Sequence, residues 1–517
     1  MPARTPYARA MPTPTMLWYD YETTGTDPVR DRPAQFAALR TDMALQPIGE
    51  PITLYCAPAP DVLPQPEACL ITGITPQDAA REGIVEAEFA GRVHELLAEP
   101  GTCSAGYNSI RFDDEVNRNL FYRNFFDPYE HCWKNGNARW DIMDLARACY
   151  ALRPDGIKWP LRDDGSPSFK LEHLAQENRL EQARAHDATS DAIATVALAR
   201  LLRERQPRLY EWCFALRHKR TVIPQLANAL VERRPLLHVS HKYAAQRGCL
   251  AMVVPIAEHP TREGSFIVAD LDVDPDAWTA LDPEDLTERM FTRRADLPED
   301  IERPPLKEVH ANRSPFLAPI ETLREVDTRR IGLDPDRCLE NLKRIRACDG
   351  LAERVRQAFA LREPRRTDDE DPELMLYSGF ASDVDRKRFG DVRATPPERL
   401  GVTGFHFGDP RYEELLFRYR ARNWPASLDA DERERWFAFV REKLTRELGG
   451  LTLAQYLATI ARLRVETPPG PQQVLLDRLQ AWGETVRSEF GFETPPLPQT
   501  ASPFGGEAAD GRAHSAG

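Results

Sequence analysis

Apolar and polar positions alternate with period two through "MLWYDYE" (residues 16–22). This predicts a β-strand with Leu17, Tyr19 and Tyr21 on one face and Trp18, Asp20 and Glu22 on the other. "AQFAALRTD" (34–42) and "ITLYCAP" (52–58) read as two further strands, set off by turns bearing Pro, Asp and Gly, so that the three form an antiparallel meander. The period then lengthens. "EAEFAGRVHELLAE" (86–99) has helical apolar spacing, "TCSAGYN" (102–108) returns to a short strand, and a helix opens at Asp113–Asp114. Helical stretches at 140–152, 170–180 and 188–205 complete an α/β unit built on one mixed sheet.

From about 207 to 350 the pattern changes to short β-like runs, "LLHVSHKYA", "LAMVVPIAEH" and "SFIVADLDV", which predict a small β-rich second domain. The acidic, Pro-bearing stretch "LREPRRTDDEDPEL" (361–374) reads as a linker. Beyond it "RYEELLFRYRARN", "ADERERWFAFVREKLT" and "QQVLLDRLQAWGETVRSEF" are amphipathic at helical spacing and predict a helical third domain. The Pro-rich first residues and the tail from about Thr494 are poor in large apolar residues, and disorder is expected at both ends.

A chain of 517 residues exceeds one core. Its formal charge of -13 argues against nonspecific polyanion binding by the whole molecule, so any nucleic-acid site must be a local basic patch. One such patch is residues 201–250, with ten Lys or Arg against three Asp or Glu. Nine cysteines lie singly with no C-x-x-C pair, which suits buried thiols in a reducing compartment. No apolar run approaches the length of a membrane span and the leader lacks a signal's apolar middle, so the expected location is cytoplasmic, without membrane contact.

Candidate chemistry begins with Asp20 and Glu22. Two like charges on one strand face repel strongly where water is scarce, and a divalent cation between them relieves this. Two other stretches bring acids to strand and helix ends: "GYNSIRFDDEV" carries Asp113 and Asp114, and "AHDATSDAIATVALARLL" carries His186, Asp187 and Asp191. Taken singly, Asp114 and Asp187 read as helix caps. Together the stretches bring four carboxylates and one histidine to one end of one sheet. Hard oxygen ligands select Mg²⁺ or Mn²⁺ over Zn²⁺. Two such ions about 3.5–4 Å apart suit in-line displacement at a phosphodiester. In this scheme Asp20 bridges two Mg²⁺, for which Mn²⁺ can substitute; Glu22, Asp113 and Asp191 complete the shells, and His186, titrating near neutral pH, deprotonates the attacking water.

"DYETTGT", "GYNSIRFDDE" and "AHDATSD" resemble the three exonuclease motifs of the DEDD superfamily, in its histidine-containing branch. Longer stretches, among them "DRPAQFAALRTD", "RFDDEVNRNLFYRNFFDPY", "RACYALRPDGIKWP" and "LLFRYRARNWP", resemble the bacterial exodeoxyribonuclease I family from about residue 16 to 485. The resemblance implies a 3′→5′ exonuclease that degrades single-stranded DNA to 5′-mononucleotides, acts in DNA repair and recombination, and is monomeric. It also implies a ribonuclease H-like mixed-sheet exonuclease domain, an SH3-like β-barrel and an α-helical domain joined in a C-shaped clamp. The expected boundaries are a disordered leader 1–15, the exonuclease domain 16–206, the SH3-like domain 207–358, the helical domain 359–488 and a disordered tail 489–517. Asp20, Glu22, Asp113, His186 and Asp191 fill the family's catalytic positions; the departures are the two ends and Thr24, where an aromatic is expected.

A sequence-tolerant DNA channel needs cations for phosphates and flat side chains for bases. "FRYRARNWP" offers Arg418, Tyr419, Arg422 and Trp424 for it, and by analogy Glu22, Thr23, Thr24, Gln35 and Phe36 hold the terminal nucleotide. The resemblance further implies docking of the acidic C-terminal tail of single-stranded-DNA-binding protein. Such a tail ends in an aromatic and a carboxylate, which need an apolar pocket and a cation. Arg153, Trp212, Arg234 and Arg337 are the candidates. Two rival readings share the acidic motifs. A proofreading or RNA exonuclease leaves the two further domains without use, and a catalytically silent DNA-binding scaffold leaves the full set of acids unexplained.

Overall fold

The structure is a computed structural model and describes residues 13–180, 187–299, 301–362, 371–446 and 450–492. Strand β1 (Thr15–Thr23) is the centre of a five-stranded sheet that also holds β2 (Pro33–Thr41), β3 (Ile52–Tyr55), β4 (Thr102–Gly106) and β5 (Ala138–Asp141), in the order β3-β2-β1-β4-β5. β1 pairs antiparallel with β2 and parallel with β4. The antiparallel meander of the first three strands is therefore present. The last two residues of strand β5 overlap the start of the stretch read as helical from residue 140; the helix itself is Met143–Leu152. Four residues of alternating pattern ahead of a helix are too few for period two to register.

Both faces of β1 are covered. Leu17, Tyr19 and Tyr21 pack with Phe36, Phe89, Val93 and Phe121 on one side. Met16 and Trp18 pack on the other, where Trp18 meets Trp140 edge to face at 6.5 Å. A central strand buried twice reads as a nearly continuous apolar run, and here the run breaks only at its C-terminal end, where the acids stand.

The second unit is a five-stranded antiparallel sheet of β6 (Leu236–Val239), β7 (Leu250–Glu258), β8 (Ser265–Asp270), β9 (Leu306–His310) and β10 (Leu317–Pro319), in the order β10-β6-β7-β8-β9. The stretch from 207, expected to be β-rich, instead opens with helices Pro207–Ala215 and Lys219–Val231. The second lays Val222, Leu226 and Ala229, spaced at helical intervals, against Leu236, Val253 and Val268 of the sheet. One apolar core runs without a break from Trp18 and Trp140 through Tyr210 and Phe214 to Leu237, Met252 and Trp278, so the first two units are packed together.

The third unit is helical: Asp383–Ala394, Arg411–Asn423, Ala430–Thr445, Leu453–Glu466 and Pro471–Phe490. Reciprocal capping boxes at Asp429/Glu432 and Thr452/Gln455 define two helix starts. Its core of Trp436, Val440, Tyr456 and Leu479 takes in Leu63 and Cys69 from the first unit, and Tyr122 and Phe125 pack with Phe389 and Tyr412. Seven of the nine cysteines are buried. Among the described residues no helix is long and apolar enough to cross a membrane.

Candidate active site

The two faces of β1 do different work. On the apolar face the Tyr19 hydroxyl donates to Asp114 Oδ1 at 2.7 Å and the Tyr21 hydroxyl to Asn117 Oδ1 at 2.7 Å, which locks helix Asp113–Arg123 against the strand. This places Asp113, whose Oδ1 accepts from the backbone N–H of Tyr21 at 3.2 Å, midway between the strand positions of Asp20 and Glu22. Asp114 turns away. Arg139 donates to its Oδ2 at 2.5 Å, and although burial alone would raise its pKa, Arg139 and Arg118 hold it below the ordinary carboxylate range.

On the other face, helix Ala188–Arg205 packs across β1 and β2 and brings Asp191 to the two strand acids. Carboxylate oxygens of Asp20, Glu22 and Asp191 lie within 4.8 Å of one another, the one such grouping of three or more His, Cys, Asp or Glu among the described residues. Burial, then Asp113, Asp191 and Glu22, hold the Asp20 carboxyl well above its usual pKa. Burial, then Asp191 and Asp187, push Glu22 up to about 8. Asp113 is raised likewise, first by burial and then by Asp114. No arginine or lysine pairs with Asp20, Glu22 or Asp113 among the described residues. An all-oxygen donor set in which burial and mutual repulsion penalise the charged forms fits a hard divalent cation. His186 lies outside the described residues. Its neighbour Asp187 is the N-cap of the Asp191 helix, accepting from Ser190 N–H at 3.1 Å.

The residues expected around the terminal nucleotide separate. Thr23 and Thr24 are half-buried at the end of β1, next to the acids; the Thr23 hydroxyl donates to the Gly25 carbonyl at 2.6 Å and Thr24 Oγ1 accepts from Arg32 N–H at 2.8 Å. Gln35, opposite Glu22, is buried: its amide donates to Tyr55 Oη at 2.8 Å and its Oε1 accepts from Ala188 N–H at 3.2 Å. It therefore holds the start of the Asp191 helix, a correction to its expected role as a nucleotide contact. Phe36 is wholly buried among Tyr19 and Tyr21 on the opposite face, and it too is corrected to a core residue.

The channel assignment of "FRYRARNWP" is overturned. Arg418 is buried against Asp371 (2.5 Å) and Glu414 (2.9 Å). Arg422 grips Asp61 through two hydrogen bonds of 2.8 and 2.7 Å and also pairs with Glu373. Tyr419 is buried against Phe125, and Trp424 packs partly buried on Tyr419. Cations adjacent in sequence are here neutralised by acids remote in sequence. Exposed cations lie elsewhere, among them Lys219, Lys242 and Arg313. A groove of about 800 Å³ between the three units is lined by Arg118, Tyr129, Trp133, Lys219, Arg313 and Phe380, with Trp133 62% and Phe380 81% exposed. It shares Arg262, His310 and Arg313 with a groove of about 420 Å³ that carries Arg147, Lys242 and Lys307 and reaches Asn108 and Ile110, in the loop leading to Asp113. Of these, only Lys219 and Lys242 had a signal in the sequence, as members of the basic stretch 201–250.

Arg153 and the half-exposed Trp212 line one groove of about 410 Å³ together with Arg208, Leu209 and Pro319. Arg234 and Arg337 do not line it; Arg234 pairs with Glu232 at 3.2 Å and Arg337 with Asp272.

Family profiles match three consecutive parts of the chain: an exonuclease domain over residues 17–199, an exonuclease I SH3-like domain over 217–361 and an exonuclease I C-terminal domain over 370–486. The chain is 48% identical over 433 residues to exodeoxyribonuclease I of Escherichia coli K12, covering 84% of this chain and 90% of that protein. Among solved structures, a moderately thermophilic exonuclease I from Methylocaldum szegediense superposes with a TM-score of 0.86 at 49% identity, covering 92% of this chain and 99% of that one. E. coli exonuclease I in complex with a dA16 oligonucleotide superposes at 0.87 with 45% identity, covering 92% and 100%. A structure of SSB/exonuclease I in complex with the inhibitor CFAM superposes at 0.84 with 43% identity, again covering 92% and 100%.

Proposed function

The chain belongs to the exonuclease I family, and on that premise we propose that Asp20, Glu22, Asp113 and Asp191 hold the divalent ions with which it degrades single-stranded DNA from the 3′ end to 5′-mononucleotides. The observation that carries the assignment is the convergence of three carboxylates within 4.8 Å at the end of the central strand, with the fourth hydrogen-bonded to the backbone between two of them. Mg²⁺ is the ion, with Mn²⁺ as a substitute, because every donor is a carboxylate oxygen. When bound, two such ions activate the attacking water and neutralise charge on the attacking and leaving oxygens.

The chain's own residues supply the rest. His186, just ahead of the Asp191 helix, takes the proton from the attacking water. Gln35 and Asp187 fix the start of that helix and so set the distance between Asp191 and β1. Thr23 and Thr24 border the terminal nucleotide. Along the groove Lys219, Lys242 and Arg313 face the phosphates, while Trp133 and Phe380 offer ring faces to bases, a combination that holds a single strand without reading its sequence. The Arg153–Trp212 groove takes the C-terminal tail of single-stranded-DNA-binding protein: a guanidinium for the terminal carboxylate beside an indole for the ring.

The test is degradation of end-labelled single-stranded DNA, duplex DNA and RNA with Mg²⁺, with Mn²⁺ and with EDTA. Metal-dependent shortening of single-stranded DNA alone from its 3′ end is the expected result. Equal activity on duplex or RNA, or activity in EDTA, overturns the reading. For the partner, fluorescence anisotropy of a labelled tail peptide is expected to saturate with the wild type at tens of micromolar and to weaken with Arg153→Ala.

A further inference from the structure

The loop that follows the two strand acids is tied into the helical third unit by a continuous chain of hydrogen bonds and ion pairs. Thr24 is cross-linked to Arg32 in both directions: Thr24 N–H donates to the Arg32 carbonyl at 2.8 Å and Arg32 N–H to Thr24 Oγ1 at 2.8 Å. Gln65 N–H donates to the Thr24 carbonyl at 2.7 Å, and Asp31 Oδ2 accepts from Asp27 N–H at 2.8 Å and from Gln65 Nε2 at 3.3 Å. Gly25 sits so close to Asp31 that a Cβ there would lie 2.3 Å from Oδ2. Residue 25 is thus packed against Asp31 and Gln65 with no space for a side chain. The Arg32 side chain then leaves the first unit: its Nη2 donates at 2.8 Å to Glu373 Oε2, and both side chains are 5% exposed. Glu373 pairs in turn with Arg422, which grips Asp61, to which Lys443 also donates at 2.7 Å.

We propose that Arg32 and Glu373 are a positioning pair by which the helical unit sets the loop after Glu22, and with it the place of the 3′-terminal nucleotide against the metal-binding acids. Neither residue touches the reacting atoms. A planar guanidinium held between Glu373 and, at 4.0 Å, Glu86 fixes the direction in which residue 32 leaves the loop, and the two bonds to Thr24 pass that constraint to the strand end. The third unit then contributes to turnover as well as to holding DNA, and the two contributions are separable. Loss of the pair displaces the end of the substrate without touching the groove cations, which lie on other segments.

This inference rests on the exonuclease reading above. The experiment measures kcat and KM for Mg²⁺-dependent shortening of an oligo(dT), and the Kd for the same oligonucleotide by anisotropy with Ca²⁺ in place of Mg²⁺, for wild type, Glu373→Gln and Arg32→Lys. Thermal melting is followed in parallel. Arg32→Lys keeps the charge and loses the planar fork, so it serves where Glu373→Gln fails to fold. The expected result is a fall in kcat of about tenfold or more, the scale on which small misplacements at an active site act, with Kd within about twofold of wild type, on the scale expected when the phosphate contacts are untouched. Unchanged kcat in a folded variant overturns the proposal. So does a Kd that weakens in step with kcat/KM while kcat holds, which would make the pair a staple between units only. Failure of the wild type itself to shorten the oligonucleotide would instead overturn the exonuclease reading.

Discussion

Asp20, Glu22 and Asp113 at the end of β1, and Asp61 and Glu373 between the first and third units, are two sets of buried or half-buried carboxylates that the protein treats in opposite ways. In the first set burial and neighbouring acids raise every member, Glu22 to about 8. In the second, burial also works to raise the acids, but Arg422 and Lys443 around Asp61, and Arg422 and Arg32 around Glu373, outweigh it and hold both far below the ordinary range. Burial is common to both sets, so burial alone does not mark a working carboxylate. The mark, among the described residues, is the missing counter-charge. Among the described residues Asp61 is surrounded by two cations and Asp20 by none, which keeps a place for ions from solution.

The largest expected effect breaks the first set. Asp20→Ala should lower kcat on single-stranded DNA by several kcal/mol of transition-state stabilisation, on the order of a thousandfold or more, because the group that anchors the ions is gone. DNA affinity in Ca²⁺ should stay near wild type, since the groove cations are untouched. Steady-state kinetics beside anisotropy check both halves, and activity within about tenfold of wild type would contradict the metal assignment.

Breaking the second set should show in stability instead. Asp61 is 0% exposed and carries the charge opposite Arg422 and Lys443. Asp61→Asn leaves two buried cations short of an anion and should cost about 3–5 kcal/mol, read as a lower melting temperature and urea midpoint. Mn²⁺ affinity at the β1 acids should be unchanged. If the variant melts like wild type, the compensated set is not holding the units together.

This contrast also explains what was legible in the sequence. Period two along "MLWYDYE" put Asp20 and Glu22 on one face because strand geometry is local, and the place of Asp191 in a helix start was equally local. The three-unit architecture followed from changes of period. What the sequence hid was pairing. "FRYRARNWP" looked like an open cationic face because nothing nearby announces that Arg422 is held by Asp61, 361 positions away, or Arg418 by Asp371. Gln35 looked like a ligand contact because its partner Ala188 lies 153 positions on. The groove cations, conversely, are drawn from several separate stretches, and only the fold assembles them.

The groove sharpens the comparison at smaller amplitude, because Lys219, Lys242 and Arg313 stand exposed in it, whereas Arg118 and Arg147 pair with Glu115 and Asp144. Trp133→Ala and Phe380→Ala should each weaken oligo(dT) binding by about 1–3 kcal/mol through lost stacking, and affinity should fall steeply with salt. Arg418→Ala, by contrast, should change stability and leave affinity near wild type, because its partners are acids of its own chain. Anisotropy across a salt series distinguishes the two classes. Equal loss of affinity in all three variants would return Arg418 to the DNA channel.

The finest test compares the two sets by the sign of their pH dependence. In metal-free protein the folded state keeps a proton on Glu22 up to about pH 8, whereas the unfolded chain releases it near the ordinary value of about 4.3. Between those values the native state binds more protons than the unfolded one, so the contribution of Glu22 to stability declines as pH rises through that window and is undiminished below it. Glu22→Gln removes this term. In EDTA its melting temperature relative to wild type should therefore climb from about pH 5 to about pH 8, by an amount worth on the order of 1 kcal/mol once water and neighbouring groups relax. Saturating Mg²⁺ should reverse the order, since the ion stabilises the wild type more. Asp61 is displaced the other way: its stabilisation is present above the ordinary carboxylate range and is lost only as pH falls below it. The deficit of Asp61→Asn should thus stay flat across the same pH interval. Parallel pH curves for the two variants would show that both carboxylate sets are compensated alike, and the contrast between a site prepared for ions and one closed to them would fail.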